Sequence, residues 1–438
     1  MSSLSLDAPL KRIRETSITR RVGKVAQVVG LVVEGQGPPA ALGETCWIDI
    51  PGQPKRACEV VGFRDSRTLL MPLGPLDGIG PGQSITASGL PLSVPVGPAL
   101  LGRVLDGMCN PLDDKGPLGT MELRPLSAPP PDPMKRTRVK DVMPLGVRVV
   151  DGLLTCGRGQ RMGIFGGSGV GKSTLLGMFA RNTRADLNVI ALIGERGREV
   201  RDFLEKDLGA EGLRRSVIIV ATSDQPALVR VKAALAAATV AEYFRDRGQN
   251  VLFMMDSVTR LCLAQREIGL AIGEPPTTRG YTPSVFSLLP RFLERSGTSE
   301  RGSVTGLYTV LVEGDDMNEP VADAVRSILD GHIVLSRDLA AANHFPAIES
   351  LTSASRIFTD IASPEQKKAA GRIRHLMAVH EKARDLLDVG AYVAGSNPDL
   401  DAALKIWPKI LSFLQQGSEE SADFAKTVQQ LRDLSVAS

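Results

Sequence analysis

The chain of 438 residues has no apolar run of the roughly 18–20 residues that a membrane-spanning helix needs, so any membrane association is expected to be peripheral and to run through a partner. Its N-terminus lacks the apolar core of a secretion signal. Aromatic residues make up only 4%, which leaves no evident stacking platform for single-stranded nucleic acid. Charge of one sign is missing too: 52 basic against 49 acidic residues leave a net +3, and a polyanion is not expected as the main partner. The five cysteines, Cys46, Cys58, Cys109, Cys156 and Cys262, are scattered, odd in number and without a C-x-x-C pair. That suits a reduced, cytosolic protein with buried thiols better than a disulfide framework or zinc site. Four histidines, His332, His344, His375 and His380, form no metal-ligand spacing, and His375 and His380 read as surface positions on an expected helix.

Against this plain background one segment stands out. Gly166-Gly167-Ser168-Gly169-Val170-Gly171-Lys172-Ser173 spells G-x-x-x-x-G-K-S. The preceding Arg161–Phe165 reads as a buried strand, and Thr174 to Ala180 reads as a helix. Strand, glycine loop and helix together are the setting of a phosphate-binding P-loop. Glycines let backbone N–H groups turn inward without a Cβ in the way, and the helix N-terminus adds partial positive charge. Lys172 is placed to reach the β- and γ-phosphates of ATP, and Ser173 to hold Mg²⁺.

Texture divides the chain. Residues 1–21 are polar, with Leu10 and Ile13 among charges, and read either as a short amphipathic helix or as a loose tail. Residues 22–95 carry short β-branched runs punctuated by glycine and proline, as in a small barrel. Residues 96–364 start proline-rich and then alternate helical stretches, such as Pro226 to Arg247, with the apolar runs at Leu187, Ser216 and Val251; further strands are expected at Val304 to Val312 and His332 to Leu335. Such runs fit central parallel strands covered on both faces, so the fold class is α/β. Residues 365–438 read as a helical domain, with a break at Pro408.

Two acids follow apolar strands. Asp256 ends Val251–Met255, the Walker B pattern, where a carboxylate can help hold Mg²⁺; many strands also end in Asp simply as a turn residue. Glu195 lies in Gly194-Glu195-Arg196-Gly197-Arg198-Glu199, placed either to polarise an attacking water or to cap a helix, and spacing alone leaves both readings open.

These motifs, with Met254-Met255-Asp256-Ser257-Val258-Thr259-Arg260 and the stretch from Gly273 to Tyr281, resemble the rotary-type ATPase family, which includes the ATP synthase β subunit and the type III export ATPases. The segments from Leu293, Tyr308 and Ile328 onward and Val389-Gly390-Ala391-Tyr392 are similar to the export branch, most closely its flagellar members, with the virulence members near. The resemblance covers nearly the whole chain from about residue 22. It implies a barrel, a RecA-like ATPase domain and a C-terminal helical domain. It also implies Glu195 as the catalytic carboxylate, Arg196 and Arg260 around the γ-phosphate, Phe345 on adenine and Arg356 as an arginine finger entering a neighbour's site. Phe345 stands where relatives more usually carry Tyr, so ring stacking is kept and any hydroxyl contact is lost. On the residues alone, Phe345 also reads as core and Arg356 as a surface salt bridge. Implied partners are further copies in a ring, most simply a hexamer, a stator-like regulator at the N-terminal tail, a central stalk protein, the export gate and chaperone–substrate complexes. The implied location is the cytoplasm, at the inner face of the membrane.

Three other functions fit the sequence less well. Val389-Gly390-Ala391-Tyr392 argues against a synthase catalytic subunit. Low aromatic content and balanced charge argue against a ring translocase on RNA. Glu195, where the non-catalytic synthase subunit carries Gln, argues for turnover.

Overall fold

The computed structural model describes residues 20–437, so Leu10, Ile13 and nearly all of the expected N-terminal tail lie outside the described residues. The chain forms two compact units: one runs up to Ser93 and includes 268–274, and the other comprises Val94–Glu267 and Pro275–Ser438.

The first unit is a closed barrel of six strands. Around the barrel they run Val22–Val29, Val32–Gln36, Arg67–Pro72, Arg56–Arg64, Glu44–Ile48 and Ser84–Pro91, and the last pairs back onto the first. Alternation sends Val25, Val33, Ile48, Val60, Leu70 and Ile85 inward, where they are nearly or wholly inaccessible. Closure leaves no edge strand, as the expected small barrel requires.

The second unit is built on a nine-stranded sheet. Its main path runs Ala354–Ser355, Gly331–Val334, Arg161–Gly166, Ser303–Leu311, Asn250–Asp256, Leu187–Ile193, Ser216–Ala221 and Val104–Leu105. Apart from the antiparallel Ala354–Ser355 edge, these pairs are parallel. The apolar runs seen in the sequence are its central strands, and every residue of Leu187–Ile193 and Ser216–Ala221 is buried. Crossover helices cover both faces, the longest being Ala227–Arg245.

After Ser363 the chain is helical: Pro364–Lys382, Pro398–Leu414 and Phe424–Val436. Each begins with a side-chain cap, from Ser363, Asn397 and Asp423 respectively, and the first two place proline just inside the start. Their inward residues Ile373, Leu376, Ile406, Ile410 and Leu431 join one core with Leu175, Leu176 and Phe179 of the P-loop helix.

Two expectations are corrected. Pro408 does not break its helix, which continues from Pro398 to Leu414. Its ring sits on the exposed side, while Ala403, Ile406, Ile410 and Phe413 bury the opposite stripe, and that burial outweighs the hydrogen bond proline cannot donate. His380 is not a free surface residue: its ring stacks on Trp407 at 3.6 Å between centroids and 5° between planes.

A buried ion pair pins the long crossover helix to the segment leading into Ser303–Leu311. Arg295, 4% exposed, donates to both oxygens of Glu242 at 2.8 and 2.6 Å and to Thr239 and the Leu126 carbonyl. Glu242→Leu strands that guanidinium and is expected to cost about 3–5 kcal/mol, read as a lowered urea midpoint. The double variant with Arg295→Met should recover most of the loss.

Candidate active site

Adjacent parallel strands bring the carboxyl ends of Arg161–Gly166, Asn250–Asp256 and Leu187–Ile193 to one rim, with Ser303–Leu311 between the first two. The P-loop leaves the first of these strands and feeds the helix Lys172–Asn182. Gly169 and Gly171 take φ of 80° and 93°, the left-handed region that L side chains rarely adopt. A Cβ at Gly167 would meet the guanidinium of Arg337, the far end of a half-exposed side chain that would have to move aside.

Ser168, Gly169, Gly171, Lys172, Ser173, Thr174, Glu195, Arg196, Asp256 and Arg260 line one cavity of about 410 Å³. Lys172 is buried and donates to the carbonyl of Gly166 at 3.1 Å and to that of Gly167. Burial lowers its pKa, opposed by the charges of Asp256 and Glu195. Asp256 is also buried and accepts from the Thr309 hydroxyl at 2.6 Å. Burial raises its pKa, while Thr309, Lys172 and Arg260 pull the other way.

Glu195 lies two residues before a helix starting at Gly197, whose N-cap is Arg196. Its carboxyl is pushed up to about 8, first by burial, then by the charge of Asp256 and a hydrogen bond shared with Glu199. Glu199 is shifted down, chiefly by that same bond, so the pair holds its proton on Glu195. Arg260 Nε lies 2.9 Å from Glu195, an ion-pair distance, but its N–H is not aligned to donate. The Arg196 guanidinium is mostly exposed and turns to Glu199 at 3.7 Å.

A second cavity, of about 350 Å³, shares Gly171 and Thr174 with the first. Its other walls are Val170, Leu175, Met178 and Leu335, the Phe345–Ala347 turn, and Gln416–Ser418. Phe345 is 42% exposed on this cavity and is not a core residue. A larger cavity of about 640 Å³, lined in part by Pro408, Phe413 and Leu434, involves none of the sequence-predicted site residues.

Arg356 lines neither nucleotide-sized cavity. It follows the edge strand Ala354–Ser355, which pairs at the start of Gly331–Val334, and its exposed guanidinium donates to the Arg326 carbonyl at 3.1 Å.

Sequence reasoning missed Glu199, Thr309, Arg337 and Gln416. Glu199 had a signal, since it sits four residues after Glu195 at a helix start. Thr309 had none, because only the pairing of Ser303–Leu311 beside Asn250–Asp256 brings it to Asp256. Arg337 and Gln416 arrive from distant segments.

The raised Glu195 pKa has a consequence for stability. The folded state holds this proton between about pH 4.5 and 8, where the unfolded chain has released it. Its contribution is therefore full below pH 4.5 and is lost as pH rises through 8. Glu195→Gln fixes the neutral form, so in nucleotide-free urea titrations the variant should gain on the wild type between pH 5 and 8 and hold that gain above 8.

Residues 146–355 match the ATP synthase alpha/beta family nucleotide-binding domain, 25–89 that family's beta-barrel domain, and 362–433 the T3SS EscN ATPase C-terminal domain. The chain is 54% identical to the flagellum-specific ATP synthase of Bacillus subtilis, over 96% of this chain and 97% of that protein. It is 50% identical to the type 3 secretion system ATPase of Xanthomonas euvesicatoria, over 97% of each. The fold is similar to the assembled ATPase EscN in complex with its central stalk EscO, from enteropathogenic E. coli, with a TM-score of 0.88, 44% identity, and coverage of 94% of this chain and all of that one.

Proposed function

This chain belongs to the ATP synthase alpha/beta family, with the C-terminal domain of the type III secretion ATPases, and we propose that it hydrolyses ATP at the 410 Å³ cavity to power protein export through a flagellar secretion apparatus. It is an ATPase, as its relatives are. The observation that carries the site assignment is the convergence of Lys172, Glu195 and Asp256 on one cavity that shares the lining residues Gly171 and Thr174 with a second, which has an exposed aromatic ring.

The phosphates fit the first cavity. The P-loop turns backbone N–H groups inward, and Lys172 exchanges its own loop carbonyls for phosphate oxygens. The donor set also fits Mg²⁺: Ser173 and Asp256 share the cavity, and Asp256 is a buried carboxylate with a raised proton affinity. When bound, the ion would neutralise charge on the phosphate oxygens. Glu195 must be a carboxylate to orient water and take its proton. Arg260, at 2.9 Å, favours that form, and Asp256 opposes it. Arg196 reaches the same cavity from its rim. Adenine stacks on Phe345, between the apolar side chains of the P-loop helix and Gln416–Ser418.

The working form is a ring of copies, a hexamer, with Arg356 of each entering its neighbour's site. Its exposure and its absence from both cavities of its own chain support an action in trans. The relative EscN assembles and binds a central stalk, and a stalk, a stator-like regulator on residues 1–21, the export gate and chaperone–substrate complexes are the partners assigned here. We place the barrel at 22–95, the ATPase domain at 96–364 and the helical domain at 365–438. No helix among the described residues is long and apolar enough to cross a membrane, and we place the protein in the cytoplasm, peripheral to the membrane through its partners. The flagellar branch is preferred on the 54% identical relative. Disrupting the gene in its source organism should abolish flagella.

Two measurements test the chemistry. Glu195→Gln should bind Mg-ATP nearly normally and lose turnover, while Lys172→Ala loses both; wild-type turnover in Glu195→Gln would remove Glu195 from its role. Lys172→Ala and Arg356→Ala subunits, each inactive, should regain part of the activity when mixed, because some interfaces then pair an intact cradle with an intact finger. A finger worth roughly 10³–10⁵ in rate makes that recovery easy to read.

A further inference from the structure

Gln416 is buried, at 5% exposure, and every polar group of its side chain is committed to backbone. Its Oε1 accepts from the Arg148 N–H at 2.8 Å. Its Nε2 donates to the carbonyls of Gly146 at 2.9 Å and Glu420 at 2.8 Å. One N–H donor on one side and two carbonyls on the other fix the amide orientation. Its own backbone N–H donates to the Phe345 carbonyl at 2.9 Å. One residue thus ties together the turn that carries the exposed ring, the loop at Gly146 and the segment after the helix Pro398–Leu414.

Both sides of that tie are braced. Gly146 and Leu145 donate their N–H groups to the buried Asp151 carboxylate, each at 2.9 Å. Arg148 holds the other end, reaching the Phe413 carbonyl at 3.3 Å, the Gln415 carbonyl and the Glu420 carboxylate. The Phe345 turn is anchored by the bridge of Leu335 with Ile348 and by the bond from Ser336 N–H to the Ala347 carbonyl. The second cavity lies between these two braced walls.

We infer that Gln416 is a positioning residue for the base of the nucleotide: it sets the gap between the Phe345 ring and the Gly417–Ser418 backbone, with no amide group left over to touch the base. This rests on the reading of the 350 Å³ cavity as the adenine site. The phosphate cavity shares only Gly171 and Thr174 with it, so a fault in the gap is felt by ligands that carry a base and not by those that carry phosphates alone.

The test uses the full chain, with Mg-ADP and Mg-tripolyphosphate as calorimetric ligands and ATP turnover alongside. Gln416→Leu removes all three side-chain bonds, and Gln416→Asn keeps the amide but falls one methylene short. Each should raise Kd for ADP and KM for ATP roughly tenfold, the scale of a lost buried hydrogen bond, with kcat and tripolyphosphate affinity unchanged. Unchanged ADP affinity, or an equal loss for tripolyphosphate, overturns the inference. Phe345→Ala separates the two ideas. If it too leaves ADP affinity unchanged, the adenine reading fails; if it weakens ADP while the Gln416 variants do not, only the role of Gln416 fails. Hydrogen exchange on the wild type gives a readout independent of variant folding. Peptides covering 343–348 and 413–420 should gain protection together with ADP and not with tripolyphosphate, and protection of neither or of only one overturns the coupling.

Discussion

The parallel pairing of Arg161–Gly166 between Ser303–Leu311 and Gly331–Val334 is the constraint on which the second unit depends. A strand buried on both faces cannot shift its register without moving apolar side chains against both helix layers. Its carboxyl end is therefore a fixed point, and the glycine loop that leaves it begins from a defined place. The neighbouring strands end at the same rim for the same reason, and this brings residues as distant in sequence as Lys172, Glu195 and Asp256 to one cavity.

That gathering sets up an electrostatic conflict. One ammonium and two carboxyls are buried together, and burial pushes each toward its neutral form. The protein blunts the conflict locally. Lys172 rests on loop carbonyls, Thr309 donates to Asp256, and Glu195 shares a proton with Glu199. Each is a bond that a charged ligand can replace, so these buried groups are suited to a polyphosphate and its cation.

The second cavity rests on different physics. Its walls are apolar side chains and backbone, and they come from segments that share a core only after the C-terminal helices pack beside the P-loop helix. Hydrogen bonds from one buried glutamine, Gln416, tie these walls together. The segment that follows the helix Pro398–Leu414 is therefore one wall of the second cavity.

Sequence by itself determined the pieces with short-range rules. The glycines of 166–171 read as a phosphate loop because backbone conformation and helix polarity act over a few residues, and the apolar runs read as buried strands because burial on two faces demands them. The barrel was legible from alternation and turns. Pro408 and His380 were misread because the outcome depended on which side of a helix met the core and on a partner, Trp407, far along the chain. Spacing left Glu195 even between cap and catalyst, and only the tertiary structure shows it beside Asp256 and Arg260. Thr309, Arg337 and Gln416 became visible only in the tertiary structure. Their work lies in contacts across 53, 170 and up to 270 residues of sequence, and no local pattern encodes which distant backbone or side chain they will meet.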